Sequence, residues 1–172
     1  MAATYELIAS TTVSSTVTDI TFTSIPQTYT DLILKWSARI NVGAGSVNPD
    51  LTFNTDTGTN YSRTYVRGGA ATTSSRTSNS TTLSLYAGST GTDFTDTFSS
   101  SEIYISSYTG VGTDKPISYS SRTEGNSAVA SLYLTAAAGL YRTSDPIDEL
   151  NFYNSNGFLS GSSFFLYGIK NS

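Results

Sequence analysis

No histidine and no cysteine occur among the 172 residues. Without imidazole there is no Ser–His–Asp or Cys–His nucleophile system, no histidine general base and no histidine-held zinc or haem. Without thiols there is no disulfide framework, thiolate nucleophile or iron–sulfur cluster. Charge is scarce too: Asp, Glu, Lys and Arg make up 13% of the chain, about half the usual globular share. The net charge is −4, so a nucleic-acid partner is not expected, since such a binder needs a basic face to displace counterions from phosphates. Long apolar runs are also missing. Nothing approaches the ~18 consecutive apolar residues of a spanning helix. Residues 1–10 have neither the basic nor the apolar region of a secretory leader. The expectation is a soluble chain made in a cytosol, with no membrane partner.

Ser and Thr fill the gap, at about a third of the chain. Low charge with many hydroxyls suits a disordered chain, but the apolar residues fall in short alternating runs rich in aromatic and β-branched members. The clearest is DLILKWSARIN (31–41): Leu32, Leu34, Trp36, Ala38 and Ile40 share one face, and Lys35, Ser37, Arg39 and Asn41 the other. Only Ile33 breaks the alternation, and Trp36 reads as core. That period of two predicts a strand with one face buried. Similar runs lie at 5–10, 17–25, 51–54, 61–67, 81–87, 102–108, 115–123, 127–136, 148–153 and 162–169, joined by turn-forming residues.

Two segments read differently. Residues 68–82, GGAATTSSRTSNSTT, hold no apolar side chain larger than Ala and predict a mobile loop. The run AAAG (136–139) could form one helical turn but is too short for a stable helix. Together these readings predict a single all-β domain over residues 1–172, a two-sheet antiparallel β-sandwich, of jelly-roll type in preference to the immunoglobulin-like alternative.

Four stretches resemble a family of small β-rich virion structural proteins of tailed phages, particularly phages of cyanobacteria and other aquatic bacteria. They are ITFTSIPQTYTDLILKWSAR (20–39), the FN and NYSR pieces within 53–63, SSEIYISSY (100–108) and SSFFLYGIKNS (162–172). IPQTYTDL and LYGIK are the most specific parts. The resemblance implies a place in the phage particle. The expected role is non-enzymatic: a capsid decoration (cement) protein on the virion surface, assembled in the bacterial host cytoplasm. Its partners would be the major capsid protein and copies of itself in a homo-oligomer, and no cofactor is expected. The alternative is an adhesive module of a tail or head fibre that binds host-surface glycan. The chain has no heptad pattern for a fibre shaft, which favours the capsid.

Candidate sites follow from residue type. Glu6, Glu102, Glu124 and Glu149 are scattered, and no spacing marks a general acid–base pair, so no catalytic residues are assigned. NTDTGTN (54–60) has oxygen-bearing residues at alternate positions beside a glycine, like half a calcium loop, but lacks the closing Glu. A hairpin turn needs the same residues, and no metal site is assigned; the segment 91–96 reads the same way. Tyr61, Arg63, Tyr65 and Arg67 alternate along one strand face, with Arg76 following, a composition common at interfaces. These five are the candidate interface residues. Tyr104, Tyr108, Tyr119 and Tyr133 could form a sugar-stacking platform, although core packing serves them equally well.

Overall fold

Period-two patterning becomes backbone pairing through most of the chain. The structure is a computed structural model describing residues 4–42, 48–69, 71–85, 89–90, 97–123 and 133–170. Its strands are β1 (Tyr5–Thr12), β2 (Val17–Phe22), β3 (Asp31–Ser37), β4 (Arg39–Ile40), β5 (Asp50–Phe53), β6 (Tyr61–Gly68) and β7 (Thr73–Ser80). There follow β8 (Leu83–Ser84), β9 (Ser89–Thr90), β10 (Ser100–Ile105), β11 (Lys115–Arg122), β12 (Leu134–Tyr141), β13 (Leu150–Phe158) and β14 (Ser163–Ile169). No helix occurs among the described residues.

The strands form two sheets. The larger runs β1-β14-β3-β10-β11-β12-β6-β7; the smaller runs β8-β5-β13-β4-β9, with β2 on the other side of β13. The chain ends fold on each other twice, β1 on β14 in one sheet and β2 on β13 in the other. Leu150 pairs with Phe22 on one side and Phe53 on the other, which sets β13 between β2 and β5. The quartets β1-β14-β3-β10 and β2-β13-β5-β8 therefore follow the strand order of a jelly roll. The strands β6-β7, between β5 and β8, and β11-β12, between β10 and β13, are additions that widen the first sheet into a wing. The expected antiparallel sandwich is what forms, and β4 with β9 is the one parallel pairing among the described residues.

Between the jelly-roll sheets lies an aromatic core. Trp36, Phe152, Phe158 and Phe164 are buried, and the Phe152 centroid lies 5.0 Å from that of Trp36, 5.3 Å from Phe158 and 5.5 Å from Phe164. Burying a side chain of this size stabilises the fold by about 1.5–3 kcal/mol. Leu32, Leu34, Ile103, Ile105 and Leu166 also line the inner face of the larger sheet.

Several expectations need correcting. The segment 68–82 is not a loop, because β7 occupies most of it as an edge strand laddered onto β6. Backbone bonds suffice there without apolar side chains. AAAG (136–139) is not a helical turn but the middle of β12, registered between β11 and β6. The space over Gly139 is tight, since a Cβ there would lie 3.0 Å from Leu83 Cδ1. The segment 54–60 is no hairpin: β5 belongs to the smaller sheet and β6 to the larger, so the loop crosses between them. In the run 81–87, Leu83 and Leu85 are buried, but among its described residues strand is confined to Leu83–Ser84, and residues 86–87 lie outside the described residues. Of the run 127–136, residues 127–132 lie outside the described residues, as does the segment 91–96. Leu134, at the described end of that run, is exposed.

Candidate functional site

The Tyr–Arg stripe comes first. Tyr61, Arg63, Tyr65 and Arg67 do share a face of β6, but it is the inner face. They register with Tyr141, Gly139, Ala137 and Thr135 of β12, of which Tyr141 and Thr135 are buried. Tyr61 is core: its ring stacks 4.8 Å from that of Tyr141, and its hydroxyl accepts the Phe53 backbone N–H at 2.9 Å. Burial pushes its hydroxyl pKa well above the ordinary tyrosine value. Arg63, Tyr65 and Arg67 are half-buried where the smaller sheet gives out. The Arg63 guanidinium donates to the Ser84 carbonyl and lies 5.4 Å from the Tyr65 ring centroid; that of Arg67 lies 4.2 Å over the Tyr133 ring. Arg76 stands apart. It registers with Thr64, whose side chain is on the outer face, and register partners share a face. The five residues thus divide between two faces.

The outer face of the larger sheet is broader. One unbroken register row crosses all eight strands: Leu7, Tyr167, Ile33, Tyr104, Ser118, Ala138, Thr64 and Arg76. The next row reads Ser10, Phe165, Lys35, Glu102, Ser120, Ala136, Val66 and Ser74. Tyr5, Leu7, Val66 and Leu134 are exposed at 54%, 55%, 49% and 57%. Little charge interrupts them. Lys35 and Glu102 neutralise each other at 3.0 Å. Asp31 is buried, accepting the Tyr104 hydroxyl at 2.6 Å and the Ser107 N–H at 2.8 Å. That hydrogen bond, followed by burial, raises the Tyr104 pKa to about 12. Arg76 and Arg122 are the remaining charges among these strands' outward residues. Exposed apolar groups with this little charge form a surface other proteins can cover at low desolvation cost.

The smaller sheet offers a concave feature. An open groove of about 480 Å3 is lined by five threonines, Thr52 and Thr82 among them, with Asp56, Glu149 and Asn151. Thr55, also in the lining, has φ 53°, an unfavourable value for a β-branched residue. The oxygens of the 54–60 loop serve the loop and its neighbours. Asp56 accepts from Gly58 N–H at 2.7 Å and the Asn60 amide at 2.8 Å, while Asn54 Oδ1 accepts the N–H groups of Asp148 and Glu149. The Asn60 amide, aided by Gly58 N–H and the Tyr141 hydroxyl, holds the Asp56 carboxyl below its usual pKa. These bonds give the half-calcium pattern a structural use. Among the described residues no group of three or more Asp or Glu side chains could hold a metal ion.

The remaining candidates disperse. Tyr104 points outward, whereas Tyr108 and Tyr119 are buried and Tyr133 lies under Arg67, so the four tyrosines make no platform. Glu6 pairs with Lys170 at 3.2 Å and accepts the Tyr29 hydroxyl at 2.9 Å. Glu124 is outside the described residues. The outer-face rows escaped residue-by-residue reading because they arise from register; the exposed Tyr5 and Leu7 at alternate positions were their visible trace. No family model matches the chain, and no curated protein matches it.

Proposed function

We propose that this chain is a non-enzymatic structural protein of a phage particle, a decoration or cement protein on the capsid surface. Its partners are the major capsid protein and further copies of itself, and it assembles in the bacterial host cytoplasm. The observation that supports this reading most is the outer face of the larger sheet, eight strands wide, with exposed apolar groups and little net charge. Such a face gains energy by being covered, and repetition over a shell multiplies a modest contact into a firm one. The sequence resemblance points to the same place. The test is quantitative mass spectrometry of purified particles. A ratio to the major capsid protein near unity, or a simple symmetry-set fraction, is expected; a few copies per hundred, or none, overturns the reading.

The threonine groove favours a second reading, an adhesive fibre module that holds a host-surface glycan. Hydroxyl, amide and carboxylate groups in a shallow concave site suit a polyhydroxylated ligand, and Thr55 carries backbone strain of the kind found at binding sites. A glycan array separates the two readings: Asn151→Ala abolishes binding if the groove is the site, and a blank array removes this alternative.

A further inference from the structure

We infer that β7 is a self-association edge, pairing antiparallel with β7 of a second copy across a two-fold axis. This goes beyond the capsid reading and does not need it, because the contact belongs to the chain itself. The strand is last in its sheet, and among the described residues only β6 pairs with it. Residues 73–79 are exposed on both faces, so side-chain burial contributes little to holding them extended. A second ladder on the open edge would satisfy the outward-facing backbone groups.

The other edges are guarded in the ways proteins ordinarily use. β1 is broken by an irregularity between Leu7 and Ala9 and carries the Glu6–Lys170 pair. β8 and β9 are two residues long, and β2 bears Asp19. β7 keeps an even register from Thr73 to Thr77, without proline or acid, until the register shift and the left-handed Asn79 (φ 54°) end the run.

The sequence of that run selects a second copy as the occupant. Thr-Ser-Ser-Arg-Thr is nearly symmetric about Ser75. A two-fold axis there sets Thr73 opposite Thr77, Ser74 opposite Arg76 and Ser75 opposite its own equivalent. Cross-strand Thr pairs are favourable, and no charge directly faces a like charge. The contact uses the same patch on both copies, so it closes as a dimer rather than growing into a filament.

Sedimentation equilibrium on the purified chain tests this with wild type, Ser75→Lys, Ser75→Glu and their equimolar mixture. Wild type is expected to show a monomer–dimer equilibrium at concentrations up to about 1 mM, the weak end of specific association. Each charged variant, with like charges facing across the axis, should dimerise at least tenfold more weakly, and the mixture should recover the dimer. Ser75 is exposed, so melting temperatures stay near wild type and exclude unfolding as the cause. A wild-type monomer, variants that still dimerise, or a mixture that stays monomeric each overturns the inference. None of these outcomes changes the copy number in particles, so the virion reading stands or falls separately.

Discussion

Along β10 covered and open positions alternate, whereas β7 exposes seven residues in succession, although both belong to one eight-stranded sheet. The difference is what lies beneath. β10 faces the smaller sheet, so Ser101, Ile103 and Ile105 are buried. Towards the wing that cover thins strand by strand. β11 still buries Ile117 and Tyr119, β6 buries Tyr61 but leaves Arg63, Tyr65 and Arg67 half-covered, and β7 has no cover. The backbone ladder outlasts the core that would ordinarily accompany it. One half of the sheet is held by packing and the other increasingly by hydrogen bonds alone.

The largest effect should come from emptying the packed half. Phe152→Ala removes a ring in contact with Trp36, Phe158 and Phe164 and should cost about 3–5 kcal/mol, read by urea denaturation. A loss under about 1 kcal/mol would mean that this core does not carry the fold. Tyr61→Phe comes next. It sits where core gives way to wing, and the substitution deprives the buried Phe53 N–H of its acceptor. The expected cost is about 1–3 kcal/mol. Substitutions within β7, such as Ser74→Ala, should stay within about 0.5 kcal/mol. Amide exchange sharpens the same contrast: β3, β10 and β14 should open only with global unfolding, while β7 opens locally. Equal protection in β7 and β3 would abolish the distinction.

This gradient also explains what the sequence reveals. In β3 the alternation of DLILKWS is a direct imprint of the second sheet. Its exception, Ile33, is 4% exposed on the outer face, in register between Tyr167 and Tyr104, a cross-strand neighbourhood that one strand's sequence does not disclose. In β7 nothing is buried, so Thr-Ser-Ser-Arg-Thr-Ser-Asn-Ser carries no periodic mark and resembles a loop. β12 misleads for the opposite reason: Gly139 lies against Leu83 of β8, so small residues stand where a strand usually carries bulk, and the alanines among them also suit a helix. For β6 the alternation of Tyr61, Arg63, Tyr65 and Arg67 is legible, but its direction is not. Aromatic and basic residues suit either a wet face or the rim of a core, and the buried Tyr61 decides for the latter. Arg76 joins the opposite face through a strand that leaves no signal of its own.

Titration gives the subtlest probe of the two halves. Tyr104, beside β3, and Tyr141, at the base of the wing, both have pKa values raised to about 12. Their causes differ: the hydrogen bond to Asp31 leads for Tyr104, and burial leads for Tyr141, with the bond to Asp56 second. A raised tyrosine pKa means that the folded chain holds the proton above the unfolded value of about 10. The resulting stability is full below pH 10 and lost as pH rises towards 12. Asp31→Asn should therefore move the phenolate absorbance of Tyr104 substantially back towards 10, whereas Asp56→Asn should move that of Tyr141 less, because burial remains. At the acid end Asp56, whose pKa is lowered, contributes above the unfolded carboxylate range and loses that contribution as pH falls through its folded value. If Asp56→Asn shifted Tyr141 as far as Asp31→Asn shifts Tyr104, burial at the base of the wing would not be the dominant force there, and the boundary between the packed and laddered halves would lie closer to β10.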